Sequence, residues 1–145
     1  MIEEKDVKEG QIVYYYWTID SCIEKGVITD PKFFDIHRMN MYLRCVSNIR
    51  WTAYVDKEGN EIDKEHHIDY DRGISLGNLF LTAEEAYKAK DAELNRLHDH
   101  WNICTSTLRG LLEFPLINNL SGEDASWEAR KFYQDRIEEY LKNNK

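Results

Sequence analysis

The sequence has no pair of cysteines close enough to read as a metal clip or a redox motif. Cys22, Cys45 and Cys104 stand apart, in an odd number and without a CxxC. That excludes a disulfide framework and fits reduced thiols in a reducing compartment. No apolar run approaches the roughly 20 residues of a membrane span. The opening residues, Met1 to Asp6, are charged and hold no apolar stretch of the signal-peptide kind. A cytoplasmic protein is therefore expected. Basic charge is scarce as well. The chain has 19 Lys and Arg against 27 Asp and Glu, a formal charge of −8. Residues 1–81 hold 15 acids and 10 bases, and residues 82–145 hold 12 and 9. Neither half has the cationic surplus that phosphate-driven nucleic-acid binding needs. A net negative field favours basic partner surfaces instead. No catalytic or cofactor signature is present. The acidic run at 56–71 has its glycine and terminal glutamate in the wrong places for an EF-hand.

What is there suffices for a core: 145 residues, 42% hydrophobic and 12% aromatic. The apolar period changes at Leu79-Phe80-Leu81-Thr82-Ala83-Glu84-Glu85-Ala86. Before it, apolar residues alternate or cluster in short runs. After it, they recur every three or four residues. Thr82 and Glu85 have capping-box spacing, which starts a helix. The chain is expected to divide there, into a β-rich part at 1–81 and a helical part at 82–145.

In the first part, Gln11 to Ile19 is aromatic and β-branched and predicts a strand. Cys22 to Ile28 predicts a second, with Gly26 marking a bulge and Asp20-Ser21 joining the two as a hairpin. Thr29-Asp30-Pro31-Lys32 reads as a turn or loop. Phe33 to Met41 reads as a short helical turn or an aromatic-bearing loop. Strands are expected next at 41–46 and at 49–55, where Ile49, Trp51, Ala53 and Val55 share one face. Asp56 to Asn60 forms a polar hairpin tip, Glu61 to Tyr70 returns, and Leu79 to Leu81 closes the set. Five or six short strands with turns between them imply a small closed or partly open barrel.

The succession VYYYW (13–17), IEKGVI (23–28) and LGNLFLTAEEAYKA (76–89) resembles small bacterial and phage proteins of uncharacterised function. Those carry an SH3-like barrel followed by a helix. The resemblance covers about residues 10–92 and is most specific at Phe80-Leu81-Thr82 with Glu84-Glu85-Ala86. It implies a fold and no catalytic residues. This chain departs from the pattern by the aromatic segment at 31–41 and by a long C-terminal extension.

In the second part, the series 94-97-101-104-108-111 steps like a heptad seam. It predicts a helix over about 83–112, with room for a break at Thr105-Ser106-Thr107 and a stop at Phe114-Pro115. A second helix is expected to start near Ser121, with Asp124 in its first turn. Its apolar face would run through Ala125, Ala129, Phe132, Tyr133, Ile137, Tyr140 and Leu141. The two would form a helical hairpin. Its uncovered apolar area would lie on the barrel, on a second copy or on a partner.

Few residues offer chemistry. His100 and Cys104 share a helical face and suit zinc, but further ligands would have to come from Cys45, His66 or His67. His66-His67 with Asp69 offers a general base without a placed nucleophile. The stronger signal is for binding. Tyr15, Trp17, Phe33 and Phe34 are aromatic candidates for a partner surface. Glu58, Glu61 and Asp63 offer carboxylates to a basic groove. The expected fold class is α+β, an SH3-like antiparallel barrel followed by a helical hairpin. The expected function is a non-catalytic acidic protein-binding module without cofactor or metal. Its narrowest form is a phage or mobile-element inhibitor of a nucleic-acid-handling enzyme, of the anti-CRISPR kind. No direct nucleic-acid or membrane contact is expected, and a homodimer is one possible assembly. The alternative is a small-molecule or nucleotide module with its ligand between barrel and helices. An enzyme using Cys or His comes last.

Overall fold

The computed structural model describes residues 2–19, 21–65, 68–122 and 126–144. The chain is α+β, an antiparallel sheet followed by three helices. It divides into two compact units, Met1–Asp91 and Ala92–Lys145. Among the described residues no helix is long and apolar enough to cross a membrane.

The first unit is built on two long strands. β1 (Ile12–Tyr15) pairs with β2 (Ile23–Arg38), and β2 with β3 (Met41–Val55). Strand character thus runs straight through 29–38, where a turn and then a loop or helical turn were expected. Three register shifts explain how. Pro31 has no N–H for a ladder, and it falls where the register skips from Asp30 to Phe33. There Asp30 Oδ1 accepts from the Lys32 N–H at 3.1 Å. The turn that does occur is Met39-Asn40, with φ of +46° and +64°. Two consecutive left-handed residues between the paired Arg38 and Met41 make a two-residue hairpin turn of the primed kind. Strands 41–46 and 49–55 are likewise one strand.

Gly26 marks a bulge, as its sequence context implies. The register shifts between Lys25, opposite Ala53, and Gly26, opposite Trp51. A methyl group on Gly26 would sit 2.7 Å from both Ile49 Cγ2 and Trp51 Cε3, so close packing requires the glycine. Ile49, Trp51, Ala53 and Val55 are all buried. They do not all serve one cluster. Ile49 and Trp51 join Val13, Ile28, Val46, Ile74 and Leu79, while Val55 joins Ile23, Ala83 and Ala86. A bulge advances the strand by one residue and re-aims the side chains beyond it.

The segment expected as one strand from Glu61 to Tyr70 contributes two short ones against β3: β4 (Glu61–Ile62) and β5 (Tyr70–Arg72). The closing strand at 79–81 is reduced to a single bridge, in which Tyr14 and Phe80 exchange backbone hydrogen bonds of 2.9 and 3.0 Å.

α1 (Ala83–Cys104) begins where Thr82 Oγ1 accepts from the Glu85 N–H at 3.1 Å. The boundary between the units falls within this helix. In the second unit α1 ends at the expected break. Thr105 Oγ1 turns back to the Trp101 carbonyl at 2.7 Å, and Thr107 caps α2 (Leu108–Ile117) by accepting from the Gly110 N–H. The heptad seam is cut there: Trp101 and Leu111 are buried, Leu108 is exposed. Pro115 does not stop the helix. It lies inside α2, two residues before the end, where it forfeits one backbone hydrogen bond. α3 (Trp127–Asn143) has its cap five residues later than Ser121. Ser126 is its cap, accepting from the Ala129 N–H at 3.4 Å. Asp124 and Ala125 lie outside the described residues. Trp101, Phe114 and Ala129 form the core of this unit, with Phe132 and Tyr133 against it. Leu141, expected on the buried face, is exposed.

Candidate functional site

The binding candidates separate into three groups on the first unit. Phe33 and Phe34 lie on the β2–β3 hairpin. Phe33 is half-buried beneath the Arg44 guanidinium, 4.6 Å from its ring centre, while Phe34 is 42% exposed. Glu58 stands on the tip between β3 and β4. Asp56 shapes that tip: its Oδ1 accepts from the N–H groups of Glu58 (3.0 Å) and Asn60 (2.9 Å). Gly59 supplies the left-handed turn, φ +85°. The acidic run is therefore not uniform. Asp56 holds a turn, Asp69 takes Arg50 through both carboxylate oxygens at 2.9 and 3.0 Å, and Asp71 accepts from Asn48. Glu58 and Glu61 are exposed, without a side-chain hydrogen bond or ion pair to another described residue.

The third group forms a site. Tyr15, Glu24 and Tyr54 lie side by side across β1, β2 and β3. Trp17 leaves β1 into the turn fixed by Thr18 and Ser21, whose side-chain oxygens stand 3.0 Å apart. Tyr15 meets the Trp17 ring edge-on at 5.7 Å and the buried Trp51 at 5.8 Å. The Arg72 guanidinium carbon lies over Trp17, 3.7 Å from its ring centre. Trp17, Ser21, Cys22, Glu24, Tyr54 and Asp63 line an open recess of ≈ 370 Å³. A smaller one of ≈ 190 Å³ continues past Tyr54 and Asp63 to Glu61 and Ile62. The fold thus brings together Tyr15, Trp17, Glu61 and Asp63 but neither Phe33 nor Phe34.

At the centre is a residue that strand composition alone passes over. Glu24 is only 2% exposed. Its Oε1 accepts from the Tyr70 hydroxyl at 2.6 Å, a charge-assisted bond. Its Oε2, also buried, has no hydrogen-bond partner among the described residues. The negative charge is felt by the phenols around it. Burial pushes the Tyr70 hydroxyl well above the ordinary range, and the bond to Glu24 pushes it further; the Trp17 indole and Arg72 act the other way. Tyr54 is raised by burial and then by Glu24, Cys22 and Asp63. Tyr15 is raised by burial and by Glu24, against Arg72. Nothing local sets Glu24 apart in the sequence, since Lys25 beside it is also a charge within the same strand.

Cys45 is buried, and burial with Asp35 raises its thiol, which keeps it protonated and unreactive. Cys104 Sγ and His100 Nε2 do meet, at 3.6 Å. Among the described residues no group of three or more His, Cys, Asp or Glu is placed to hold a metal ion. His66 and His67 lie outside the described residues. No family model, curated protein or solved structure matches the chain.

Proposed function

We propose that the protein is a non-catalytic binding module whose β-rich unit takes hold of a cationic surface on a partner protein. One observation carries the reading: a buried carboxylate, Glu24, lies in the same recess as the exposed indole of Trp17 and the carboxylate of Asp63. Rings beside negative charge attract cations and repel phosphate. Exposed Glu58 and Glu61 extend the same sign of charge outward. In its narrower form the partner is a nucleic-acid-handling enzyme whose basic groove is occupied, and the protein is an inhibitor of the phage counter-defence kind. The charge of −8 supports that form. The Tyr14–Phe80 bridge supports reading the sheet as a partly open SH3-like barrel. The alternative, a small-molecule module, draws on the recess volume, which is at the small end of ligand sites. The carboxylates disfavour a nucleotide there.

Affinity capture from host lysate tests the reading, with the Glu58→Lys, Glu61→Lys, Asp63→Lys variant beside the native protein. The expected result is a captured protein lost on charge reversal. Capture unchanged by the reversal contradicts it. A small ligand retained in native mass spectrometry, without any captured protein, favours the alternative.

A further inference from the structure

We infer that the Glu24 recess is a receptor for one arginine side chain of the partner, its guanidinium seated against the Trp17 and Tyr54 rings with its charge turned towards Glu24 and Asp63. This rests on the proposed function and names the group that is recognised.

A buried acceptor without a donor is destabilising, the more so when it is charged. Tyr70 gives Glu24 one donor, to Oε1. Oε2 is left for something the described residues do not provide. The missing partner is a donor and a cation. A metal ion is disfavoured: although Cys22 lies beside Glu24 and Asp63 in the recess, no group of three or more His, Cys, Asp or Glu among the described residues is placed to hold one. Between the two cationic side chains, guanidinium fits better. It is planar, stacks on rings, and keeps its in-plane N–H groups for a carboxylate, whereas ammonium is a strongly hydrated point charge. The molecule already shows the pairing, since the Arg72 guanidinium carbon lies over Trp17 at 3.7 Å. Oε2 is itself buried, so an arriving guanidinium has to shift a wall residue to reach it. Trp17, 45% exposed, is the more exposed ring of that wall.

The test is an NMR titration of the full-length protein with Nα-acetyl-arginine amide. Nα-acetyl-lysine amide and the uncharged isostere Nα-acetyl-citrulline amide are run alongside. Arginine amide is expected to give saturable shifts at the Trp17 indole N–H and at residues 21–24 and 54. Citrulline amide should bind at least about tenfold more weakly, and lysine amide more weakly than arginine amide. Glu24→Gln keeps an acceptor for Tyr70 and should lose at least about tenfold in arginine affinity. If that variant does not fold, Trp17→Ala at the rim should show the same loss. Equal binding of citrulline or lysine amide overturns the inference. So do shifts that survive both substitutions, and no saturable shift at all. If capture still depends on Glu58, Glu61 and Asp63 in that last case, the proposed function stands and only the arginine receptor falls.

Discussion

The two units differ in how deeply they bury apolar residues. The first fully buries Trp51, Ile23, Ile28, Ile49, Leu79, Val13, Val46 and Val55, and exposes Ile12, Trp17, Phe34, Met39, Met41 and Tyr42. In the second, Phe114 is the one side chain in that class among the described residues, while Ile103, Leu108, Leu112, Leu116, Ile117, Trp127 and Leu141 are exposed. The first unit has the stronger core and yet contains the buried, half-satisfied carboxylate. The second has a small aromatic core and, among its described residues, no buried carboxylate. A misfit charge is tolerated where packing is strong enough to hold it, which is why the site is assigned to the β-rich unit.

Substitutions can break or sharpen this contrast. Trp51→Ala should cost about 3–5 kcal/mol by emptying the first unit's core, read by urea unfolding with hydrogen exchange resolved by segment. The early loss of protection should fall on residues 12–81 and spare 108–143. Gly110→Ala should do the converse at about 3 kcal/mol or more. Its methyl would lie 1.7 Å from the Cys104 carbonyl oxygen, so the α1–α2 junction must open. Tyr70→Phe removes the donor to Glu24 and should cost about 2 kcal/mol at pH 7. A loss near zero would mean that the carboxylate already has another partner.

The phenols supply a pH test. Tyr70, Tyr54, Tyr15 and Tyr87 all have hydroxyls raised above 10.0 in the folded protein. Each therefore binds its proton more tightly folded than unfolded. Their contribution is complete below pH 10 and is lost as pH rises through the folded values. Urea midpoints should begin to fall above pH 9 through Cys45 and fall more steeply above pH 10 through the phenols, the second fall being smaller in Tyr70→Phe. The smallest expected effect is on α2. Leu112→Lys with Leu116→Lys should change stability by less than about 0.5 kcal/mol, because both side chains are exposed. If the protein self-associates through this face, sedimentation should show the native assembly and a lighter variant.

Legibility in the sequence followed the range of the interactions. Thr82, the break at 105–107 and the alternation at 49, 51, 53 and 55 are patterns of neighbours a few residues apart, and Gly26 was legible because a glycine inside a strand is itself a bulge signal. The misreadings have local causes too. Met39-Asn40 makes a tight left-handed turn without the glycine that usually marks one, so 29–41 looked like loop. Pro31 imitates a turn but sits in a bulge, and Pro115 imitates a helix stop but comes where only one bond is lost. Of the site, Trp17, Glu61 and Asp63 were recognisable as outward rings and acids. Glu24 was not, because its role depends on Tyr70, 46 positions along the chain. Only the folded register brings that pair together.

Hydrogen exchange on the protein, alone and with its captured partner bound, tests the assignment most directly. The account predicts new protection at residues 17–24 and 52–64, with 103–117 unchanged. Protection gained at 103–117 and 127–141, with the Trp17–Glu24 segment exchanging as before, would contradict it.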